Sequence, residues 1–527
     1  MTFKSITPGF SVSGQLTAQD VHHAAAQGFK SVICNRPDGE EAGQPSAAAI
    51  QKEAEALGLS FTYIPAVSGA VTGDDAAKMK AALAQMPSPI LAYCRSGARS
   101  TKLWEMATKD QDAAPSSAKI YDVVIVGGGS AGIATASSLL KRNQKLSIAV
   151  IEPSEDHYYQ PGWTMVGAGV FSAEFTKRTE KSVMPKAVDW IKKAASGFVP
   201  EDNKVLLADG SSVAYRVLVA CPGIKLDWDA IDGLTETLGQ NGVTSNYRYD
   251  LAPYTNRLVK DFKQGRALFT QPPMPIKCAG APQKSMYLSC SAWERAGVLN
   301  DIDVQFHNSG AVLFGVAAYV PALMEYIERY DAHLNFESKL VAIDGPAKIA
   351  TFEQKRGDIV TRVEEKFDMI HVVPPQVAPD FVRNSPLAAA SGFIEVNEAT
   401  LQHVRYANVF ALGDACSASN AKTMAAARKQ APVVAVNVLA ALEGKPPVAD
   451  YDGYGSCPLT VERGKIVLAE FGYGGKLLPS FPNWLIDGTR PSRLSWLLKD
   501  TILPPIYWHG MLKGHEWMVN PHKIGAA

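Results

Sequence analysis

The sequence is poor in cysteine, in net charge and in long apolar runs. Seven cysteines in 527 residues, an odd number with no dense spacing, argue against a disulfide framework. Cysteine is left for redox or nucleophilic work in a reducing compartment. Lys plus Arg equals Asp plus Glu at 52 each, so overall charge gives a nucleic-acid partner no support. No stretch approaches the roughly 18 uninterrupted apolar residues of a membrane-spanning helix. The opening MTFKSITPGF lacks an apolar core of the signal-peptide kind, and no signal peptide is expected. Low-complexity tracts and repeats of about 20–50 residues are also missing. No metal site is expected.

What remains is an ordinary globular composition, 46% apolar and 20% charged, long enough for two to four domains. Residues 109–118, KDQDAAPSSA, are polar, carry Pro and Ser, and show no apolar period, as a linker does. Upstream, FKSVICN (29–35) and PILAYC (89–94) read as buried strands, and DVHHAAAQG and AAAIQKEAEALG as helices. That alternation predicts a small α/β domain over 1–112 and a linker over 113–119. A core over 120–450 and a C-terminal region over 451–527 follow.

Residues 121–143, YDVVIVGGGSAGIATASSLLKRN, predict a strand, a glycine turn and a helix, with SIAVIE (147–152) as the next strand. Gly127, Gly129 and Gly132 form G-x-G-x-x-G. The first allows the tight turn, the second lets a pyrophosphate approach the backbone, and the third lets helix and strand pack closely. Glu152 ends the second strand, where an acid accepts from ribose hydroxyls. The pattern predicts a dinucleotide site. A second such fingerprint has its expected place around VQFHNSGAVLFGVAAYVPALMEYI (304–327), where only Gly310 and Gly315 occur. Hydride delivery from a nicotinamide is therefore not expected.

Residues 91–100, LAYCRSGARS, put a cysteine after a strand and two arginines in a glycine-containing turn. Inward backbone N–H groups and the arginine charge would lower the Cys94 pKa. Such a loop serves a phosphatase or a sulfurtransferase. Asp74 and Asp75 lie in a loop that could offer a phosphatase its general acid. At the other end, Leu494, Leu497, Leu498, Thr501 and Ile502 follow helical spacing. Pro504–Pro505 is expected to break that helix, before Tyr507, Trp508, Met511 and Leu512. An apolar face flanked by Trp, Tyr and Lys suits a membrane interface, or packing on the protein's own core.

Four segments carry a family resemblance: HYYQPGWTMVGAG (157–169), PIKCAGAPQKSMYLS (275–289), NVFALGD ending at Gly413–Asp414, and YDGYGSCPL (451–459). With the glycine turn they resemble sulfide:quinone oxidoreductases, from about 119 to about 520. The resemblance implies a flavoprotein disulfide reductase fold, with two Rossmann-like domains, the second degenerate, and a C-terminal amphipathic helical segment. It implies FAD, with Asp414 toward the ribityl chain, and a redox pair made of Cys278 and Cys457. Cys457 would hold the persulfide and Cys278 would face the flavin. Lys284 and Lys499 match family lysines near the site of an anionic sulfur acceptor. The partners implied are sulfide, a membrane quinone, a small acceptor such as glutathione or sulfite, and the membrane surface. A homodimer is a candidate assembly. The implied place is cytoplasmic, peripheral on the inner face of the cytoplasmic membrane.

Residues 1–112 resemble the phosphatase-like domain of beta-lactamase-hydrolase-like proteins. Protein tyrosine phosphatases place five residues between their cysteine and arginine. Cys94 and Arg99 have four between them, as in a rhodanese loop, which favours sulfur transfer through Cys94 and leaves phosphatase chemistry open. Cys34, Cys221 and Cys290 are expected in the core, while Cys416, two positions past Asp414, is open to a role. The competing reading of the whole chain is an NAD(P)H-dependent persulfide or quinone reductase carrying a phosphatase domain. A third makes the N-terminal domain a docking module.

Overall fold

The computed structural model describes residues 3–7, 9–108 and 119–524. The chain forms two compact units, Met1–Ala118 and Lys119–Ala527. The expected linker over 113–119 lies, Lys119 apart, outside the described residues.

The first unit runs β1 (Lys4–Thr7), β2 (Phe10–Ser13), α1 (Ala18–Ala26), β3 (Ser31–Cys34), α2 (Ala47–Ala56), β4 (Ser60–Tyr63), α3 (Gly73–Gln85), β5 (Ile90–Tyr93) and α4 (Ala98–Thr108). The sheet order is β1-β2-β5-β3-β4. The last four strands are parallel, and β1 is antiparallel at the edge. β3 and β5 are buried along their whole length. They therefore read as continuous apolar runs rather than alternating ones. Capping boxes start α1 at Thr17/Asp20 and α3 at Thr72/Asp75. The Cys94 loop leaves the carboxyl end of the central strand β5, where ligands bind in open parallel sheets.

In the second unit, β6 (Ile120–Val126), α5 (Ser130–Arg142) and β7 (Ile148–Ile151) form the expected βαβ unit with parallel strands. Strand Ser212–Ala220 pairs with β6 on its other side, and Val409–Ala411 pairs with Ser212–Ala220. The register sets Val126, Ala220 and Ala411 side by side. Gly127, Cys221 and the Gly413–Asp414 turn thus leave the sheet at one end. That is how two motifs nearly 300 residues apart converge.

A second, all-parallel sheet has the order Val243–Thr244, Met369–His371, Gly265–Gln271, Ile302–Asn308, His333–Phe336. The loop after Ile302–Asn308 is closed by its own side chain. Asn308 Oδ1 accepts the Gly310 N–H at 2.8 Å, and Asn308 Nδ2 donates to the Val312 carbonyl at 2.9 Å. The next helix begins only at Val320. The second Rossmann-like domain is present without its glycine turn.

The C-terminal region opens with a hairpin, Gly455–Glu462 and Lys465–Phe471, whose Cys457 and Leu459 share one core with Met286 and Tyr287 of helix Ala281–Ala296. The expected break at Pro504–Pro505 does not occur. Helical backbone runs from Arg493 to Lys513, with π-type turns at Leu498–Ile502 and Ile506–Gly510 on either side of the prolines. A widened turn moves the preceding carbonyl off the proline ring. Leu503 accordingly stays in the right-handed helical region at φ −64°, ψ −38°, against the usual preference before proline. The apolar residues of this run divide. Leu494, Leu497 and Ile502 are exposed, whereas Tyr507, Trp508, Met511 and Leu512 are buried in the core around the first sheet. Tyr507 and Trp508 therefore belong to the protein's interior rather than to an interface. Among the described residues no helix is long and apolar enough to cross a membrane.

Candidate active site

A cleft of about 530 Å³ runs from the glycine turn to the cysteines, within the usual size of small-molecule sites. Gly127, Gly129, Ser130, Glu152, Cys221, Gly413 and Asp414 line one part of it, and Lys277, Cys278, Lys284 and Lys499 another. The glycines are needed for stated reasons. A Cβ on Gly127, whose φ is +104°, would lie 2.4 Å from the Cys221 carbonyl oxygen. One on Gly132 would lie 1.9 Å from the Gly127 carbonyl oxygen. Gly129 meets nothing within 4 Å and makes no side-chain cap, so the first N–H groups of α5 are left for an anion. Glu152 Oε2 accepts the Gly128 N–H at 2.8 Å, and its Oε1 accepts the Ser154 N–H at 2.8 Å. Three buried polar atoms of the wall, Trp163 Nε1, Thr164 Oγ1 and Asn246 Oδ1, have no protein partner. Burial raises the Asp414 pKa, with Lys422 and Lys277 opposing it.

The two cysteines meet at the other part. Cys278 Sγ and Cys457 Sγ are 3.4 Å apart, and Lys284 Nζ lies 3.0 Å from the first and 3.8 Å from the second. Cys278 precedes helix Ala281–Ala296 in a left-handed backbone conformation, φ +52°. Strain of this kind collects where a structure over-determines a functional residue. Hydrogen bonding from the Cys457 thiol, with Lys284 beside it, holds the Cys278 thiol well below its usual range, against burial. Cys457, the donor of that bond and also buried, is pushed well above. Lys499 is buried with its Nζ 3.5 Å from the Pro458 carbonyl. Burial first, then the charge of Lys284, lower its pKa to about 7.

In the first unit, Cys94 is buried and its Sγ accepts the Gly97 N–H at 3.1 Å. Burial pushes its thiol up, but backbone N–H groups of Ser100, Ser96, Arg99 and Gly97 outweigh that and bring the pKa below its ordinary value. The arginines contribute less free charge than expected. Arg99 holds Glu40 in a fork, Nη1–Oε1 2.6 Å and Nη2–Oε2 2.7 Å, and Arg95 stands exposed 3.7 Å from Glu41. Asp75 closes the capping box of α3 and Asp74 pairs with Lys78 at 2.6 Å. Both candidate acids are thus engaged in building a helix.

Curated relatives decide the family. The chain is 43% identical over 398 residues to the mitochondrial sulfide:quinone oxidoreductase of Dictyostelium discoideum, covering 75% of this chain and 86% of the relative. It is 36% identical to that of Mus musculus, at 75% and 87% coverage. The chain belongs to the sulfide:quinone oxidoreductase family. The solved sulfide:quinone oxidoreductase of Aquifex aeolicus shares the fold, with a TM-score of 0.62 at 19% identity over 75% of this chain and 92% of that one. Residues 2–111 match the family model of the beta-lactamase hydrolase-like protein, phosphatase-like domain.

For this family member the cofactor is FAD, and the residues fit it. The open N-terminus of α5 would take the pyrophosphate and Glu152 the ribose. Asp414 and the unpartnered Trp163, Thr164 and Asn246 offer polar contacts along the remaining length. The other cysteines are buried. Cys34 and Cys290 sit in cores, and Cys221 packs behind the glycine turn with its thiol pushed up. Cys416 Sγ points to the Gly413 carbonyl at 3.3 Å, and burial raises its pKa. It lies under the turn, in the core. A buried relay escaped the sequence reading. Glu180 Oε2 meets His157 Nδ1 at 2.9 Å, His157 Nε2 meets the Tyr507 hydroxyl at 2.6 Å, and that hydroxyl meets Ser130 Oγ at 2.7 Å. His157 opens one of the family segments, but its partners lie up to 350 residues away.

Proposed function

We propose that this chain oxidises sulfide to sulfane sulfur and passes the electrons to a quinone, with Cys278 and Cys457 as the redox pair. The observation that carries the reading is the pair itself, two sulfurs 3.4 Å apart beside a buried ammonium, with Cys278 and Lys284 in the wall of the dinucleotide cleft. In the oxidised enzyme the two form a disulfide. Hydrosulfide attacks Cys457 Sγ, the S–S bond breaks, and the products are a Cys457 persulfide and a Cys278 thiolate. Lys284 stabilises that leaving thiolate, which speeds the exchange. An acceptor such as sulfite then attacks the outer sulfur of the persulfide, giving thiosulfate and a Cys457 thiol. Lys284 and Lys499 draw the anionic acceptor in. Bound FAD supplies the two-electron acceptor that restores the disulfide and the donor that reduces quinone. No observation favours a nicotinamide as electron source, and the loop closed by Asn308 stands where its phosphates would bind.

Quinone is dissolved in lipid. Exposed Trp484, Leu494, Leu497, Ile502 and Trp517 are offered for attachment to the inner face of the cytoplasmic membrane. In the first unit, Cys94 is proposed to accept sulfane sulfur, directly or through glutathione persulfide, rather than to attack phosphorus. The short Cys94–Arg99 spacing and the engagement of Asp74 and Asp75 elsewhere support that choice. Anaerobic titration tests the main reading. Sulfide bleaches the flavin band near ~450 nm and NADH does not; bleaching by NADH alone would overturn it.

A further inference from the structure

An anion-binding loop uses a guanidinium fork to hold two oxygens of its substrate. In the Cys94 loop that fork is already taken by the chain's own carboxylate. Arg99 gives both terminal nitrogens to Glu40, and Nη1 also donates to the Ala66 carbonyl at 2.7 Å. Arg36 holds Glu40 from a second side, Nε–Oε2 3.0 Å, while its other nitrogens bind Gln15 and Glu41 at 2.9 Å. Arg36 and Arg99 are both buried. The third arginine, Arg95, stands by Glu41. Every guanidinium at this loop therefore faces a carboxylate, and Arg99 also faces the Cys94 sulfur. A sulfonate or phosphate entering here would meet the Glu40 charge, or would have to break the ion pairs that Glu40 makes with Arg99 and Arg36. A donor whose outer sulfur bears no oxygen has neither difficulty. It needs only the inward backbone N–H groups that already hold the Cys94 sulfur.

We propose that Glu40 is a built-in oxyanion mimic that restricts the Cys94 site to persulfide donors, R–S–SH, and excludes thiosulfate, thiosulfonates and phosphate monoesters. This rests on the sulfur-transfer reading of the domain. The Cys94 thiolate attacks the outer sulfur of R–S–SH and the S–S bond of the donor breaks. The sulfane sulfur becomes a persulfide on Cys94, and the proton leaves with the thiol RSH. No net electrons move.

The test loads the full-length holoprotein with glutathione persulfide or thiosulfate and weighs the Cys94 peptide. Wild-type Cys94 gains one sulfur atom from the persulfide, about 50-fold faster than from thiosulfate, and sulfate gives it no protection from alkylation. Glu40→Gln frees the fork and raises loading from thiosulfate about tenfold or more, with persulfide loading kept within about threefold. Equal wild-type loading from both donors overturns the role of Glu40 and leaves sulfur transfer standing; this arm needs no variant. Loading from neither donor, with hydrolysis of an aryl phosphate, overturns sulfur transfer and this proposal with it. A folded Glu40→Gln that still refuses thiosulfate also overturns the proposal.

Discussion

Lys284 and Lys499 are both buried in the cleft wall that holds Cys278 but do not share the same charge. Lys284, with Nζ 3.0 Å from Cys278 Sγ, is held protonated by the thiolate. Lys499, pressed by burial and by Lys284, falls to about 7. Its charge therefore appears only as pH falls through about 7. Sulfate, whose own charge is fixed there, should compete with the sulfur acceptor about tenfold more weakly at pH 8 than at pH 6. Lys499→Met should flatten that dependence. The measurement is the sulfate inhibition constant across pH.

The sign for stability follows from the same depression. Between about pH 7 and pH 10 the unfolded chain binds a proton at residue 499 that the folded chain does not, so this residue's contribution to stability rises with pH. Denaturant unfolding of wild type and Lys499→Met at the two ends of the window should differ by that slope.

The Cys278 thiol is held below its usual range and the Cys457 thiol above it. In the reduced enzyme, iodoacetamide should modify Cys278 well before Cys457 at pH 6, and Lys284→Met should move the alkylation midpoint upward. Cys457→Ser should leave FAD bound but unbleached by sulfide. Peptide mass spectrometry and the flavin band check both.

The Tyr507 hydroxyl joins His157 to Ser130 at the mouth of the pyrophosphate helix. Tyr507→Phe leaves a buried imidazole nitrogen unpaired, at a cost of roughly 1–3 kcal/mol. Thermal unfolding should come earlier, and flavin should be lost more readily on gel filtration.

Leu494, Leu497 and Trp484 are among the exposed apolar residues proposed for membrane attachment. The two leucines are each 48% exposed, so covering them gains about half of the roughly 1.5–3 kcal/mol of a full burial. Leu494→Ser with Leu497→Ser should cut sedimentation with phosphatidylcholine/phosphatidylglycerol vesicles about tenfold or more while leaving sulfide bleaching intact.

Short-range chemistry was legible in the sequence. The glycine turn, Glu152 at the end of β7 and the strand before Gly413 each announce themselves within a dozen residues, and the register of three parallel strands then brings them together. The cysteine pair was readable through its flanking motifs. Pairings across distance were not. Glu40 meets Arg99 over 59 residues, and nothing in NRPDGEE says which arginine it will hold. The prolines misled for a different reason. A proline forbids an ordinary α-turn, but the rule is silent on a turn widened to π geometry.

The continuous helical run from Arg493 to Lys513 carries residues with different addresses. Leu494, Leu497 and Ile502 face outward, Lys499 reaches the sulfur site, and Tyr507 grips the cofactor helix through Ser130. A hinge at the double proline would have separated these three duties. Without one, the outward leucines, Lys499 and Tyr507 are carried on one helical run.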